Sequence, residues 1–212
     1  MQNKFITIEG NIGSGKTTLA RLLSETHNGR LLLEAYDDNP FLPKFYHNPE
    51  KYALQTEMAF LLERYQQMLK IMSEPTLFNN FTVSDYMFTK SLLFAKMNLS
   101  TQDYKLYHSF FKPIERKILK PEIIYYLHVD TDILMRNIKK RGRTYELNIQ
   151  KPYLNRIEKM YFNFFKQHYN HPTIVIIEVG DKDWVQDAFA YQSLLAIFDK
   201  EYESGKTHYI TF

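Results

Sequence analysis

Two rhythms of apolar and polar residues run along this chain. Short runs rich in β-branched and aromatic residues occur at Lys4–Glu9, Leu31–Glu34, Asn80–Ser84, Ile123–Val129 and Thr173–Val179, and they read as strands. Between them the apolar positions recur at helical spacing. The longest such stretch covers Glu50–Met72, where Leu54, Met58, Leu61, Leu62, Tyr65, Leu69 and Met72 are expected on one face. A helix is expected from Thr17, then others over Tyr86–Lys96, Thr101–Leu119, Asp132–Lys140, Pro152–Tyr169 and Asp183–Ala196; Pro121 stops the chain before the fourth strand. Strands alternating with helices predict an α/β fold, a doubly wound parallel sheet of five strands with helices on both faces. No repeat, low-complexity tract or linker divides residues 1–212, so one domain is expected. The residues from Lys200 onward carry no clear signal.

Composition narrows this picture only slightly. A length of 212 residues suits one α/β domain, and 44% hydrophobic content is ordinary. The net charge of +3 gives no reason to expect a nucleic-acid partner. With no cysteine there is no disulfide, thiolate metal site or catalytic thiol. No apolar run approaches a membrane span, and the first strand leaves no room for a signal peptide, so a soluble, cytoplasmic protein without a membrane partner is expected. Tyr and Phe number 16 each, which core packing explains for most of them.

The chemistry starts at Gly10-Asn11-Ile12-Gly13-Ser14-Gly15-Lys16-Thr17-Thr18, which satisfies G-x-x-x-x-G-K-[ST] between a strand and a helix. Such a loop turns successive backbone N–H groups onto phosphate oxygens, and the helix after it adds the positive end of its dipole. Lys16 is expected to reach the outer phosphates and Thr17 to ligate Mg²⁺. In a doubly wound sheet ligands bind beyond the carboxyl ends of the strands. Glu34 and Asp85 fall at such ends. Asp85 is placed to hold Mg²⁺ and Glu34 to accept a proton from an attacking hydroxyl, although a strand-end carboxylate or helix cap would read the same way. The basic run Lys139-Lys140-Arg141-Gly142-Arg143 ends a helix. It fits a lid over a transferring phosphoryl group, a dipole-compensating terminus or a solvated basic patch.

Taken together, these motifs resemble the deoxynucleoside kinases, which phosphorylate the 5′-hydroxyl of a deoxynucleoside with ATP. The P-loop is similar to that family's version. Asn39-Pro40-Phe41-Leu42-Pro43-Lys44-Phe45-Tyr46 resembles the bacterial deoxyadenosine/deoxyguanosine kinase-like branch, Ser91-Leu92-Leu93-Phe94-Ala95-Lys96 its helix after the third strand, and Arg141-Gly142-Arg143-Thr144-Tyr145-Glu146 its lid. The resemblance covers about residues 4–180. It implies Glu34 as general base, Tyr46 and Glu146 on the 3′-hydroxyl, Phe94 stacked on the base, Arg141 and Arg143 closing over the phosphates, a mobile lid at about 139–150, Mg²⁺ with ATP, and a homodimer. Glu57 stands where the family reads the base with glutamine. One departure is clear: the acidic residue followed by arginine after the third strand is replaced by Ser84-Asp85-Tyr86, so another cation, Lys90 or a lid arginine, is needed.

Glu57 also has a reading from its own chemistry. It sits between Leu54 and Leu61 on the apolar face of the long helix, where an ion pair with Arg64 or Arg21 would be the ordinary explanation. A carboxylate accepts two parallel donors, and guanine offers N1–H and N2–H₂ side by side. Deoxyguanosine is therefore the favoured substrate. Two other functions stay open: a thymidylate kinase-like nucleoside monophosphate kinase, and a nucleotide-binding regulatory P-loop protein. The latter lacks its guanine-reading Asn-Lys-x-Asp, the nearest text being Gly180-Asp181-Lys182-Asp183.

Overall fold

The structure, a computed structural model, describes residues 4–36, 38–74, 79–167, 172–182 and 184–212. Its elements run β1 (Phe5–Gly10), α1 (Lys16–His27), β2 (Gly29–Leu32), α2 (Leu42–His47), α3 (Pro49–Ser73), β3 (Phe81–Ser84), α4 (Lys90–Asn98), α5 (Thr101–Glu115), β4 (Ile123–His128), α6 (Thr131–Arg141), a 3₁₀ turn (Thr144–Glu146), α7 (Lys151–Gln167), β5 (Thr173–Glu178), α8 (Ala188–Phe198) and β6 (Thr207–Thr211). The predicted helix ends Tyr169 and Asp183 lie outside the described residues.

All strand pairings are parallel, in the order β2-β3-β1-β4-β5-β6. Among the described residues the sheet has six strands, not the expected five. The sixth comes from the tail that carried no signal: Thr207–Thr211 pairs with β5, Ile174 opposite Thr207. Its burial alternates between exposed and half-buried at the sheet edge, so a five-residue run of Thr, His, Tyr and Ile never reads as a hydrophobic block.

Side-chain alternation along β4 explains why both faces are covered. Ile123, Tyr125 and Leu127 pack with Leu19 and Leu23 of α1, Leu134 and Ile138 of α6, and Leu194 and Phe198 of α8. Ile124 and Tyr126 point the other way, onto Ile157, Tyr161 and Phe165 of α7. A second wall is built by α3, α4 and α5 around Leu61, Met68, Tyr107 and Phe111.

The long helix α3 corrects the face drawn from sequence. Leu62, Leu69 and Met72 are exposed by 52%, 43% and 44%, while the buried positions are Ala53, Thr56, Glu57, Phe60, Leu61, Arg64, Met68 and Ile71. Two charged residues therefore occupy the inward stripe. The helix after β3 starts at Lys90, later than the expected Tyr86, because Tyr86, Met87 and Phe88 are buried in the loop that leads into it. No helix among the described residues is long and apolar enough to cross a membrane.

Candidate active site

β1 runs through the middle of the sheet between β3 and β4, and the loop after it turns into α1. Two glycines there have no substitute. A Cβ on Gly10 would lie 2.8 Å from the Leu127 carbonyl oxygen, and Gly15, at φ +91°, would meet the Trp184 ring at 2.8 Å. Asn11 locks the loop to its surroundings: its Nδ2 donates to Leu154 O at 2.8 Å and its Oδ1 accepts from Ile12 N at 2.8 Å. Asn137 of α6 donates to Gly13 O at 2.9 Å. Lys16 begins α1, and its Nζ donates to Gly10 O and Asn11 O at 2.9 and 2.8 Å. Burial, then the charge of Lys90, pushes this ammonium down to about 8, so a polyanion beside it would restore its full charge.

The loop opens into a cavity of about 300 Å³, whose walls include Gly10, Ile12, Gly13, Gly15, Lys16, Thr17, Thr18, Glu34, Tyr46, Glu57, Phe94, Arg141, Arg143 and Glu146. Of the residues singled out from sequence, Asn11, Ser14 and Asp85 stand behind this wall. Ser14 is buried and its hydroxyl has no partner among the described residues.

Glu34 lies two residues past the end of β2, not within the strand as expected. Its backbone N–H donates to Asp85 Oδ1 at 2.7 Å, which ties the two carboxylates' loops together. One Glu34 oxygen accepts from Arg64 Nε at 2.8 Å and from a second guanidinium nitrogen; the other accepts from Lys90 Nζ at 2.7 Å. Burial would raise this carboxyl, but Arg64, Lys90 and a hydrogen bond from Tyr36 outweigh burial and hold it far below the usual range. Two cations therefore stand on Glu34. Lys90 supplies one charge from the first residue of α4, and Arg64 supplies another from α3. Arg64 does not pair with Glu57, as one ordinary reading of Glu57 required: its guanidinium serves Glu34 and, at 2.6 Å, Ser91 Oγ.

Asp85 follows β3 directly and accepts from the Thr17 hydroxyl at 2.5 Å. Burial, then the neighbouring charge of Glu34, raises its carboxyl. A hydroxyl and a carboxylate side by side, with an under-compensated negative charge, form a hard-oxygen donor pair that suits Mg²⁺.

At the far end of the cavity Glu57 is 3% exposed. Its hydrogen-bond donor is neutral: Asn98 Nδ2 donates to Oε1 at 2.8 Å. Burial pushes the carboxyl up to about 7, against the partial relief from Asn98 and Arg64. Phe94 is half-buried on the same wall, with Lys90 Nζ 5.6 Å from its ring centre. Tyr46 stacks on Tyr145 at 6.1 Å and meets Tyr153 edge-on. At the end of the 3₁₀ turn, Glu146 is 4% exposed and takes both arginines, Arg141 on one oxygen and Arg143 on the other at 3.3 Å.

Comparison with known proteins is decisive on family. The profile described as deoxynucleoside kinase matches residues 6–201. The chain belongs to the deoxynucleoside kinase family. It is 32% identical over 195 residues to the deoxyguanosine kinase of Bacillus subtilis (strain 168), covering 91% of this chain and 94% of that one. It is 27% identical to the deoxyadenosine/deoxycytidine kinase of the same organism, over 92% and 91% of the two chains. Among solved structures, the deoxyadenosine kinase from M. mycoides with bound dATP superposes with a TM-score of 0.77 at 23% identity, covering 93% of this chain and all of that one, which supports the fold.

Several residues on the cavity wall or buried near it were not singled out from sequence. Glu9, at the end of β1, is fully buried and takes Met87 N at 2.8 Å, Tyr161 Oη at 2.7 Å and Gly10 N at 3.3 Å. Its charge in an otherwise apolar strand was the available signal. Thr56 lines the cavity with a buried hydroxyl that has no partner among the described residues. Tyr36 and Asn98 are ordinary in sequence and became visible only through their carboxylate partners.

Proposed function

We propose that this deoxynucleoside kinase transfers the γ-phosphoryl group of ATP to the 5′-hydroxyl of a purine deoxynucleoside, deoxyguanosine favoured, giving the 5′-monophosphate. The observation that carries the reading is Glu34. It is a buried carboxylate on the wall of a nucleoside-sized cavity, one loop from the P-loop lysine, kept ionised by Arg64 and Lys90. In the transfer, a bond forms from the 5′-oxygen to the γ-phosphorus, and the bond to the β,γ-bridging oxygen breaks. The hydroxyl proton passes to Glu34. A base so acidic is weak, which suits a loose transition state that needs an aligned nucleophile more than early proton removal. Glu34 thus acts first by orienting the hydroxyl.

Lys16 and the P-loop N–H groups hold the β- and γ-phosphates. Thr17 and Asp85 are the residues that would hold Mg²⁺, which supplies charge neutralisation on the transferring group. Arg141 and Arg143 must exchange part of their bond to Glu146 for phosphate oxygens as the lid at about 139–150 closes, which frees Glu146, with Tyr46, for the 3′-hydroxyl. Phe94 stacks on the base and Glu57 accepts from its Watson–Crick edge. The relative named deoxyguanosine kinase supports the guanine preference.

A monophosphate kinase would need free cations for its acceptor's phosphate. Arg64 and Lys90 are spent on Glu34 instead. The homodimer is proposed from the groove between α4, α5 and α7, where Leu93, Met97, Met160 and Phe164 line about 730 Å³; sedimentation velocity tests it. The decisive assay incubates the protein with Mg·ATP and each deoxynucleoside or its monophosphate. Formation of dGMP from deoxyguanosine is expected. Turnover of monophosphates alone would overturn the reading.

A further inference from the structure

We propose that Tyr36 is a positioning residue whose ring holds the guanidinium of Arg143 beside Glu34. The inference rests on the reading of Arg143 as an arginine that meets the transferring phosphoryl group. In that role its guanidinium has to stand near the attacking hydroxyl when the phosphate oxygens take it over. A long side chain in the segment between α6 and α7 does not hold such a place by itself, because many rotamers are open to it. A fixed partner is needed that leaves its N–H groups available.

The backbone places Tyr36. It lies two residues past Glu34, and its N–H donates to the Glu34 carbonyl at 3.2 Å, which closes a three-residue turn. Its own carbonyl accepts from Asn39 N at 3.3 Å, and buried Asn39 is tied to α3 through its Nδ2, which donates to the Thr56 carbonyl at 3.0 Å. The turn brings the phenol back onto Glu34, to which its hydroxyl donates. Two cations then stand over the ring. The Arg143 guanidinium carbon is 5.0 Å from the ring centre, and Lys90 Nζ, itself on Glu34, is 5.8 Å from it. Glu34, Tyr36, Lys90 and Arg143 all line the cavity. Arg143 has the longer of the two bonds on Glu146, 3.3 Å, beyond the about 2.7–2.9 Å usual for a charged hydrogen bond. A ring face sets a cation's distance and leaves the direction of its N–H groups open. The guanidinium can therefore turn from Glu146 to phosphate oxygens without leaving Tyr36.

The test measures kcat at saturating Mg·ATP and the best-accepted deoxynucleoside, at equal folded fraction. It compares wild type, Tyr36→Phe, Tyr36→Leu, Arg143→Ala and the double variant Tyr36→Leu/Arg143→Ala. Tyr36→Leu removes the ring face and should lower kcat about tenfold. Tyr36→Phe keeps the face and should recover most of that loss, to within about threefold of wild type, because Glu34 retains Arg64 and Lys90. Arg143→Ala should cost about a hundredfold, and adding Tyr36→Leu to it should cost less than about threefold more, since the two changes remove one interaction. If the Leu variant loses as much with Arg143 absent as with it present, Tyr36 does not act through Arg143, and the proposal falls while the lid reading survives. A Phe variant as slow as the Leu variant would assign the effect to the hydroxyl and also overturn the proposal, as would a Leu variant near wild type. If Arg143→Ala alone leaves kcat within about threefold, the lid reading itself fails and takes the proposal with it.

Discussion

Glu34 and Glu57 are two buried carboxylates in one cavity, and their surroundings are opposite. Glu34, at the P-loop end, has a guanidinium and an ammonium on its two oxygens and stays ionised. Glu57, at the far end, has one neutral amide and sits close to half-protonated near neutral pH. The end proposed to react is therefore finished before substrate arrives, as a transition state that needs groups already in place requires. The other end is left short of donors, and a ligand that brings two N–H groups relieves a cost already present in the free protein. On the proposed reading, selectivity for a base follows from that shortage.

Substitutions separate the two ends, and the largest effect belongs to the finished one. Glu34→Gln should lower kcat by about 10²–10⁴ with ATP affinity nearly unchanged. It also strands Arg64 and Lys90 without a countercharge, so a stability loss of about 3–5 kcal/mol is expected and rates must be compared at equal folded fraction. A kcat within about threefold of wild type would mean Glu34 only packs the cations. Lys16→Ala follows, with phosphoryl transfer down by about 10²–10³ and the fold intact, since the buried ammonium costs the free protein more than it returns. Near-wild-type turnover at saturating Mg·ATP would remove the P-loop from catalysis.

How far the sequence revealed each end follows the same division. The P-loop end was legible because its chemistry is local: Gly10 to Thr18 are contiguous, and Glu34 and Asp85 fall where β2 and β3 give out. The network that holds Glu34 was legible only in part, through Lys90 as one candidate for a needed cation. Lys90 lies 56 residues away on α4, and Arg64, 30 away on α3, has no spacing that marks it as a partner of Glu34. The apolar face of α3 differs from the expected one: Glu57 and Arg64 hold inward places that a hydrophobic pattern assigns to leucines, and Leu62, Leu69 and Met72 face outward. The sixth strand escaped because an edge strand of five residues need bury only alternate side chains.

At the unfinished end the effect should be a change of rank. Glu57→Gln gives the wall a donor as well as an acceptor, so kcat/KM should move from deoxyguanosine toward deoxyadenosine or deoxycytidine by about 10-fold. Acid should imitate the substitution in part. Protonated Glu57 also donates and accepts, so the wild-type preference for deoxyguanosine over deoxyadenosine should grow as pH rises through about 7 and be flat in the variant. An unchanged rank order among the four deoxynucleosides would take Glu57 out of the base site.

The smallest expected effect is on stability, and it tests the shortage directly in the free protein. Folding raises the Glu57 carboxyl from 4.5 to about 7. Between those values the native state holds a proton that the unfolded chain releases, so stability falls as pH rises through the window and levels off above it. The full difference corresponds to at most about 3 kcal/mol, and relaxation around a partly wet cavity makes about 1 kcal/mol the expected figure. Gln keeps the hydrogen bond from Asn98 through its own carbonyl and carries no charge to bury. Glu57→Gln should therefore be more stable than wild type by about 1 kcal/mol near pH 8 and equal to it near pH 5, in urea unfolding at matched salt. The gain should disappear when saturating deoxyguanosine is present, because the base then supplies to wild type the donors that the variant does without. A difference that does not depend on pH would show that Glu57 is already satisfied in the free protein, and the contrast between the two carboxylates would be lost.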